Sequence, residues 1–226
     1  LHNAIVWQDK RTASFCKSLD NETKKIITEK TGLPVDPYFS ATKISWLIEH
    51  VSSIKKAETE KKLAVGTIDS FLLWHLSDKK IHATDITNAS RTLLFNIHKH
   101  EWDVELLDIF NIPENILPTV HPNTFDFTMT KEGILPESLP IQAMAGDQQS
   151  AAIGQACIHK GELKSTYGTG CFAILNTGKK PVASKNGLIT TIAYQLDKDV
   201  HYALEGSIFV AGSLIQWLRD KLNIIE

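Results

Sequence analysis

The sequence predicts an α/β protein in two parts, and two observations lead to this prediction. Up to about residue 155, short apolar runs alternate with segments of helical periodicity, as is typical of α/β proteins. From about Gly161 onward, strand-like segments joined by glycine-rich turns replace this alternation. We therefore predict one domain over residues 1–157 and a second over residues 158–226.

Secondary-structure elements of the first part follow from local patterns. The opening NAIVWQ is strand-like, and helical stretches continue as far as Gly32, a residue suited to end a helix. A helix is predicted from the apolar spacing of Ile44, Leu47, Ile48 and Val51. Another helix, with Thr67 as its candidate N-cap, is predicted to turn four apolar residues inward: Ile68, Phe71, Leu72 and Leu76.

The rest of the chain is assigned in the same way. A helix begins at about Val104, and the proline-dotted stretch from Pro113 to Pro140 is predicted to be mostly loop. The segments LKSTYGTGCFAILNTG and GLITTIAYQLDKDVHYAL are predicted to form hairpin strands, and a helix follows near Ser213 to Leu222.

Composition excludes several classes of partner. The 226 residues are 42% hydrophobic, enough to bury a core, and the net charge is −2 with dispersed Lys and Arg. We therefore expect no nucleic-acid partner, and no apolar run is long enough to span a bilayer. Three widely spaced cysteines without a C-x-x-C pair favour a reducing, cytoplasmic location.

The segment IQAMAGDQQSAA is the first candidate site. An apolar strand runs into Gly146, which allows close approach of a ligand, and then into Asp147 at the start of a helix. Asp147 could accept a proton from a substrate hydroxyl, or it could simply cap the helix. The amides of Gln148 and Gln149 favour the first interpretation, because amides beside a carboxylate bind hydroxyl groups well.

Two further segments have the residues of a nucleotide site. In STYGTGCF, Gly168, Thr169 and Gly170 could present N–H groups and a hydroxyl to a phosphate, although plain hairpin turns look the same. In AGSLIQWLRD, Gly212 and Gln216 share one helix face and could leave room for a flat ligand. Close helix packing at Gly212 with an exposed Gln216 is the structural alternative.

Six segments in order resemble the FGGY family of carbohydrate kinases, and within it the glycerol kinase branch. YFSATKISWLIEH fits the family's first signature, with Lys43 and Trp46 three residues apart. The others are TNASRTLLFNIH, AGDQQSAA, TYGTGCF, NGLITTIA, and YALEG followed by AGSLIQWLRD. The resemblance runs over essentially the whole chain, and it implies the actin-like ATPase fold, built of RNase H-like domains that close on ATP and Mg²⁺.

The resemblance also implies roles for individual residues. Asp147 matches the family's general base and a contact of the metal, and Gln148 and Tyr38 match residues that hold glycerol hydroxyls. Trp7 and Phe172 match aromatic walls against the glycerol carbons. The nucleotide contacts are matched by Gly168, Thr169, Gly212 and Gln216. Glycerol and ATP are the partners implied, with a homo-oligomer when intact.

His98 is a candidate regulatory residue. Glycerol kinases of many low-GC Gram-positive bacteria carry a histidine in the same FNIH context, which the phosphocarrier protein of the sugar phosphotransferase system phosphorylates. The resemblance implies this modification at His98 and not at His100, whereas an ordinary surface histidine is the structural alternative.

Some family features are not recognisable. Neither the D-x-G-T-T-S phosphate loop nor the Arg-Glu pair that grips glycerol is present, so we expect a central part of a longer kinase that is inactive alone. TKEGILPESLP stands where some relatives have a loop that binds fructose 1,6-bisphosphate, so this inhibition is not expected. Two rival interpretations are a sister kinase acting on another polyol and a non-catalytic actin-like fragment.

Overall fold

The computed structural model describes residues 2–78 and 80–225. Its helices are α1 Ala13–Ser18, α2 Asn21–Thr31, α3 Ser40–His50, α4 Ser52–Thr59, α5 Ile68–Leu76, α6 Ile86–Ala89, α7 Val104–Phe110, α8 Asp147–Gly154 and α9 Gly212–Asp220. Its strands are β1 Ala83–Asp85, β2 Phe95–Asn96, β3 Glu101–Trp102, β4 Thr119–His121, β5 Thr124–Met129, β6 Pro140–Ala143, β7 Leu163–Tyr167, β8 Cys171–Gly178, β9 Ile189–Leu196 and β10 Asp199–Ile208. No helix among these described residues is long and apolar enough to cross a membrane.

Four sheets are formed by these strands. β1 and β4 pair in parallel, whereas β2 with β3 and β5 with β6 form antiparallel pairs. The largest sheet is antiparallel, in the order β7-β8-β10-β9. The mixture of helices and strands confirms the predicted α/β class.

Four apolar clusters hold these elements together, and the smallest is formed by Leu73, Ala83 and Phe127. The first joins α2, α3 and α7 around buried residues such as Ile27, Leu94 and Phe110. In the second, Ile192 and Tyr202 of the large sheet pack with residues near β1 and β2. In the third, Ala152 of α8 packs on the same sheet, with Ile174 and Ala203. The large sheet therefore contacts both the first part of the chain and the helix that begins at Asp147.

Most predicted elements are confirmed. Helices α1 and α2 extend to Gly32, whose φ of 74° gives the left-handed conformation of a helix C-cap. Helix α3 covers the apolar repeat that ends at Val51, and α7 begins at Val104. The four strands after Gly161 pair as two predicted hairpins, β7 with β8 and β9 with β10, and β8 also pairs with β10. Helix α9 follows them.

The predicted strand at NAIVWQ is wrong. Residues 2–6 have no regular structure, and a turn follows in which the N–H of Asp9 donates to the carbonyl of Val6 over 3.1 Å. None of the strands in the described ranges pairs with this segment. Without such a partner, an apolar run cannot satisfy its backbone groups as a strand.

The inward face predicted for α5 is also wrong. Thr67 is the N-cap residue, but its hydroxyl donates to the Asp69 carboxylate rather than accepting a cap bond. Asp69 is itself drawn inward, because the Thr84 hydroxyl donates to its other oxygen over 2.6 Å. That anchor turns the helix so that Leu73 is buried while three predicted core residues are exposed: Ile68, Phe71 and Leu72.

Just over half of the stretch from Pro113 to Pro140 lies outside helices and strands, as predicted, and most of the rest is strand. It contains β4, β5 and the first residue of β6, and Met129 pairs with Pro140 at the end of one ladder. Pro118 and Pro122 flank β4, and Pro140 is the first residue of β6, so a missing N–H does not interrupt a ladder at these positions.

Asp103 joins three elements and generates a stability prediction. Its buried carboxylate accepts hydrogen bonds from Lys30 of α2 over 2.6 Å, from Asn96 over 2.8 Å and from the Leu106 N–H of α7 over 3.3 Å. Burial raises the pKa of Asp103, but the hydrogen bonds from Lys30 and Asn96 outweigh burial and leave that pKa below its ordinary value.

We expect Asp103→Asn to lower the free energy of unfolding at pH 7 by about 1.5–3 kcal/mol, because charge-assisted hydrogen bonds are lost. Urea denaturation of the chain measures this difference. A carboxylate with a lowered pKa stabilises the fold above its unfolded pKa, so the difference should shrink as the pH falls below about 4. Asp108→Asn, at an exposed position of α7, is the control and should stay within about 0.5 kcal/mol. Equal effects of the two variants would contradict the role of Asp103.

Candidate functional site

Asp147 lies at a sharp junction between a strand and a helix. β6 ends at Ala143, and α8 begins at Asp147 with Gly146 as its N-cap residue. Asp147 therefore does not occupy the capping position. Its Oδ1 accepts the N–H of Gln148 over 2.7 Å, and the side chain is exposed. The other carboxylate oxygen accepts no hydrogen bond from the described residues, so it is available to a ligand.

Gln148 is held by a buried lysine. The Nζ of Lys164 in β7 donates to the Gln148 Oε1 over 2.6 Å, although Lys164 is only 1% exposed. Burial lowers the pKa of Lys164, and the negative charges of Asp147 and Glu205 oppose that shift. Because the Gln148 oxygen is taken, its NH₂ group is the end of the amide that can bind a ligand, as a donor.

Glu205, in β10 of the same sheet as Lys164, forms an ion pair with Arg91. The Nη2 of Arg91 donates to the Glu205 Oε1 over 2.9 Å, and Ser207 donates to the same oxygen over 3.1 Å. Glu205 is 1% exposed. The Arg91 guanidinium also lies 5.9 Å from the ring centre of Tyr38. Burial raises the pKa of Tyr38, while the charge of Arg91 opposes the shift.

Three aromatic rings meet at one end of this charged group. Trp7 lies 5.5 Å from Tyr38 and 5.6 Å from Phe209, measured between ring centres, and Tyr38 and Phe209 are also 5.6 Å apart. All three line a cleft of about 640 Å³ together with Val210. Asp147 does not line that cleft, but its negative charge adds to the rise in the pKa of Tyr38.

Phe172 lies on the sheet face that carries Lys164 and Glu205. In the ladders, Thr166, Phe172 and Ser207 stand opposite one another, two residues away from the row formed by Lys164, Ile174 and Glu205. Both rows therefore point to the same side. Within the described ranges, no ring contact links Phe172 to Trp7 or Tyr38, so it lies apart from the aromatic cluster.

The loop after β7 is tied to the start of α9. The Gly168 carbonyl accepts the Gly212 N–H over 2.9 Å, and the Thr169 carbonyl accepts the Ala211 N–H over 2.8 Å. A Cβ on Gly212 would lie 2.5 Å from the Gly168 oxygen. The close packing considered for Gly212 is therefore present, and the Gly212 N–H is not free for a phosphate.

Thr169 is the part of this loop that faces outward. Its side chain is exposed, and no described residue accepts a hydrogen bond from its amide or its hydroxyl. Gln216 lies one turn along α9 from Gly212 and is also exposed. The structure thus brings Gly168, Thr169 and Gly212 into contact, with Gln216 on the adjoining helix.

A magnesium ion fits this site only with help from other ligands. No group of three His, Cys, Asp or Glu residues suited to a metal occurs in residues 2–78 and 80–225. Mg²⁺ is commonly bound through one or two carboxylates together with substrate phosphates and water. The exposed carboxylate of Asp147 is consistent with that mode.

The two histidines after β2 are held differently. The exposed His98 donates through Nε2 to the Glu29 carbonyl over 2.9 Å. His100 has a positive φ of 60°, and its Nε2 lies 2.8 Å from the Tyr202 hydroxyl. Burial lowers the pKa of His100. Of the two rings, only that of His100 is tied to the sheet.

The sequence interpretation missed four residues of this region. They are Arg91, Lys164, Glu205 and Phe209. A signal existed for Glu205, because a carboxylate within a strand of small and apolar residues requires a partner when it is buried. Nothing in the local pattern around Phe209 distinguishes a residue that lines a cleft from one in a core.

Comparison with known proteins identifies the family. The N-terminal domain model of the FGGY family of carbohydrate kinases matches residues 1–154, and the C-terminal domain model matches residues 163–226. Over its whole length the chain is 57% identical to a glycerol kinase of Gluconobacter oxydans (strain 621H) and 56% identical to one of Rhodopseudomonas palustris (strain BisA53). It covers 44% and 45% of those proteins, so it spans a little under half of their length.

Solved structures agree with this match. The crystal structure of Plasmodium falciparum glycerol kinase with ADP is 43% identical and superposes with a TM-score of 0.91, covering the whole of this chain and 45% of that one. A gluconate kinase from Lactobacillus acidophilus gives 26% identity and a TM-score of 0.82, covering 98% of this chain and 44% of that one. The fold is therefore that of these kinases, the actin-like ATPase fold. On both the family models and the identity to its relatives, the chain belongs to the FGGY family of carbohydrate kinases.

Proposed function

We propose that this chain is part of a glycerol kinase, which transfers the γ-phosphoryl group of ATP to glycerol to give sn-glycerol 3-phosphate and ADP. The observation that carries the proposal is the 57% identity to a curated glycerol kinase over the whole chain. The exposed Asp147 carboxylate beside the donor end of Gln148 supports it, because this pair suits a polyol hydroxyl.

In this proposal glycerol is bound by residues of the first part together with Phe172 of the second, and it is deprotonated by Asp147 of the first. Asp147 accepts the proton of the attacking hydroxyl through its free carboxylate oxygen. Gln148 donates its NH₂ to a second hydroxyl, since Lys164 occupies its carbonyl. Tyr38 binds a further hydroxyl, and Trp7 and Phe172 pack against the carbons.

The second part supplies the nucleotide contacts. Thr169 offers its N–H and hydroxyl to a phosphate from the loop that begins at Gly168. Gly212 and Gln216 lie beside the nucleoside, where the absence of a side chain on Gly212 lets α9 pack closely on the loop at Gly168. Asp147 would hold Mg²⁺ together with the phosphates of ATP, and the ion would supply positive charge for phosphoryl transfer. The domain division that follows is 1–157 for glycerol and 158–226 for the beginning of the nucleotide domain, in a cytoplasmic homo-oligomer.

A chimaera tests the proposed function. Residues 1–226 replace the matched segment of the Gluconobacter oxydans glycerol kinase, and phosphorylation of glycerol is measured beside xylulose and gluconate. We expect glycerol to be the preferred substrate. Preference for xylulose or gluconate would reassign the chain to a sister kinase, and a folded but inactive chimaera would favour a non-catalytic fragment.

Asp147→Asn in this chimaera should lower kcat by about 10²–10⁴-fold, because an amide keeps the shape but loses the basic oxygen. Glycerol affinity, measured by calorimetry, should change little. Asp197→Asn in the exposed turn between β9 and β10 is the matched control and should behave as the parent chimaera does. A kcat close to that of the parent would show that Asp147 is not the base.

Gln148→Ala should act on binding instead. The amide contacts a hydroxyl in both the ground state and the transition state, so we expect KM for glycerol to rise roughly 3–10-fold with little change in kcat. Gln155→Ala, at the exposed C-terminal end of α8, provides the comparison. A fall in kcat at unchanged KM would contradict this role.

We further propose that the phosphocarrier protein phosphorylates His98. Both rings are exposed, and each has its Nε2 hydrogen-bonded, that of His98 to the Glu29 carbonyl and that of His100 to the Tyr202 hydroxyl. The choice of His98 therefore rests on the resemblance of the FNIH segment. Incubating the chimaera with the phosphocarrier protein, its phosphorylating enzyme and phosphoenolpyruvate should place acid-labile phosphate on His98, as mapped by mass spectrometry. His98→Ala should abolish labelling and His100→Ala should retain it. Unchanged labelling of His98→Ala would rule the site out.

A further inference from the structure

Two backbone groups of the turn before Asp147 are held by side chains from distant parts of the chain. The Met144 carbonyl accepts a hydrogen bond from Asn123 Nδ2 over 2.9 Å. The Gly146 N–H donates to the Thr87 Oγ1 over 2.9 Å. These are groups on either side of Ala145, so the path of the chain into α8 is constrained at both ends of the turn.

Both side chains are bonded to one buried carboxylate. Asp85 at the end of β1 is 0% exposed, and its Oδ2 accepts from the hydroxyl of Thr87 and from Asn123 Nδ2, the latter over 2.7 Å. The Thr87 N–H donates to the same oxygen over 2.7 Å, and Asn88 Nδ2 donates to Oδ1 over 2.6 Å. The carboxylate therefore connects β1 and α6 to the turn that carries Asp147.

The direction of each hydrogen bond in this group is determined by Asp85. Four of its contacts come from backbone or side-chain amide N–H groups that can only donate, which suits a carboxylate that only accepts. The Thr87 hydroxyl must then donate its hydrogen bond to Asp85. Only the lone pairs of this hydroxyl are left to accept the Gly146 N–H. The same holds for Asn123, whose NH₂ points at Asp85 and Met144 while its Oδ1 accepts the Gln195 N–H over 2.6 Å.

Packing around Gly146 leaves the turn little freedom. A Cβ at this position would lie 2.5 Å from the Oε1 of Gln149, whose Nε2 donates to the Ile192 carbonyl of β9 over 3.3 Å. The turn is thus enclosed by Thr87 on one side and by Gln149 on the other. Its placement depends on buried polar contacts, because Gly146 itself has no side chain to pack.

We propose that Asp85 is a positioning residue, which through Thr87 and Asn123 sets the direction in which the Asp147 carboxylate points. Loss of the Thr87 hydroxyl leaves the Gly146 N–H buried without an acceptor, and the turn moves to solvate it. The kinetic consequence rests on the proposed function, whereas the effect on the turn does not.

The structural arm of the test uses residues 1–226 and amide hydrogen exchange. Thr87→Val is nearly isosteric, and we expect exchange in the peptide that contains Gly146 to accelerate by about tenfold. Thr87→Ser retains the hydroxyl and should restore slow exchange. Thr84→Val is the matched control, because Thr84 is equally buried but its hydroxyl donates to Asp69 and not to the turn. Exchange that is equal in the Thr87→Val and Thr84→Val variants would overturn the proposal.

The kinetic arm uses the chimaera with the same three substitutions. Thr87→Val should lower kcat by about tenfold or more through misplacement of the base, with KM for glycerol within about threefold of the parent. Thr84→Val should lower the melting temperature by an amount similar to that for Thr87→Val, but it should leave kcat nearly unchanged. A kcat loss that follows melting temperature in both variants would mean a merely structural role and would overturn the proposal. If the parent chimaera is inactive, the proposed function fails while accelerated exchange in Thr87→Val still supports the positioning of the turn.

Discussion

The buried carboxylate of Asp85 is the interaction on which the arrangement of the site depends. Removing a charge from water is costly unless donors replace the lost solvent, and here the donors come from α6 and from Asn123. Thr87 Oγ1 and Asn123 Nδ2, which bond to Asp85, also bond to the turn before Asp147, so the donors that stabilise the buried carboxylate also contact that turn. The same hydrogen bonds therefore contribute both to stability and to the geometry of the turn in this region.

The charges on the large sheet obey the same constraint. Lys164 and Glu205 are almost completely buried on one sheet face, so each requires a partner of suitable chemistry. Glu205 has Arg91, and Lys164 has the carbonyl of Gln148 with the charge of Asp147 nearby. The lysine thereby fixes the amide of Gln148 in one orientation. A charged group can in this way determine which atom of a neighbouring side chain is left free to bind a ligand.

Local patterns predicted the helices and hairpins well, because helix ends and strand alternation depend on residues that are neighbours in sequence. Gly32 and the repeat ending at Val51 are examples. The strands within residues 113–140 were not predicted because their partners can be distant, as with β4, which pairs with β1. The strand-to-helix junction at Asp147 and Gln148 was predicted from neighbouring residues. The contacts of Lys164 and Arg91 were not predicted, since they join residues far apart in sequence.

Helix α5 shows why an apolar pattern alone does not predict burial. The periodicity correctly places Ile68, Phe71 and Leu72 near one another on the helix, but it carries no information on which side the rest of the protein lies. That side is chosen by Asp69, whose carboxylate is held by the Thr84 hydroxyl of β1. Asp69 and Leu73 therefore lie inside, and Ile68, Phe71 and Leu72 lie outside, in the described part of the chain. Polar contacts between distant residues thus orient both α5 and the turn at Asp147.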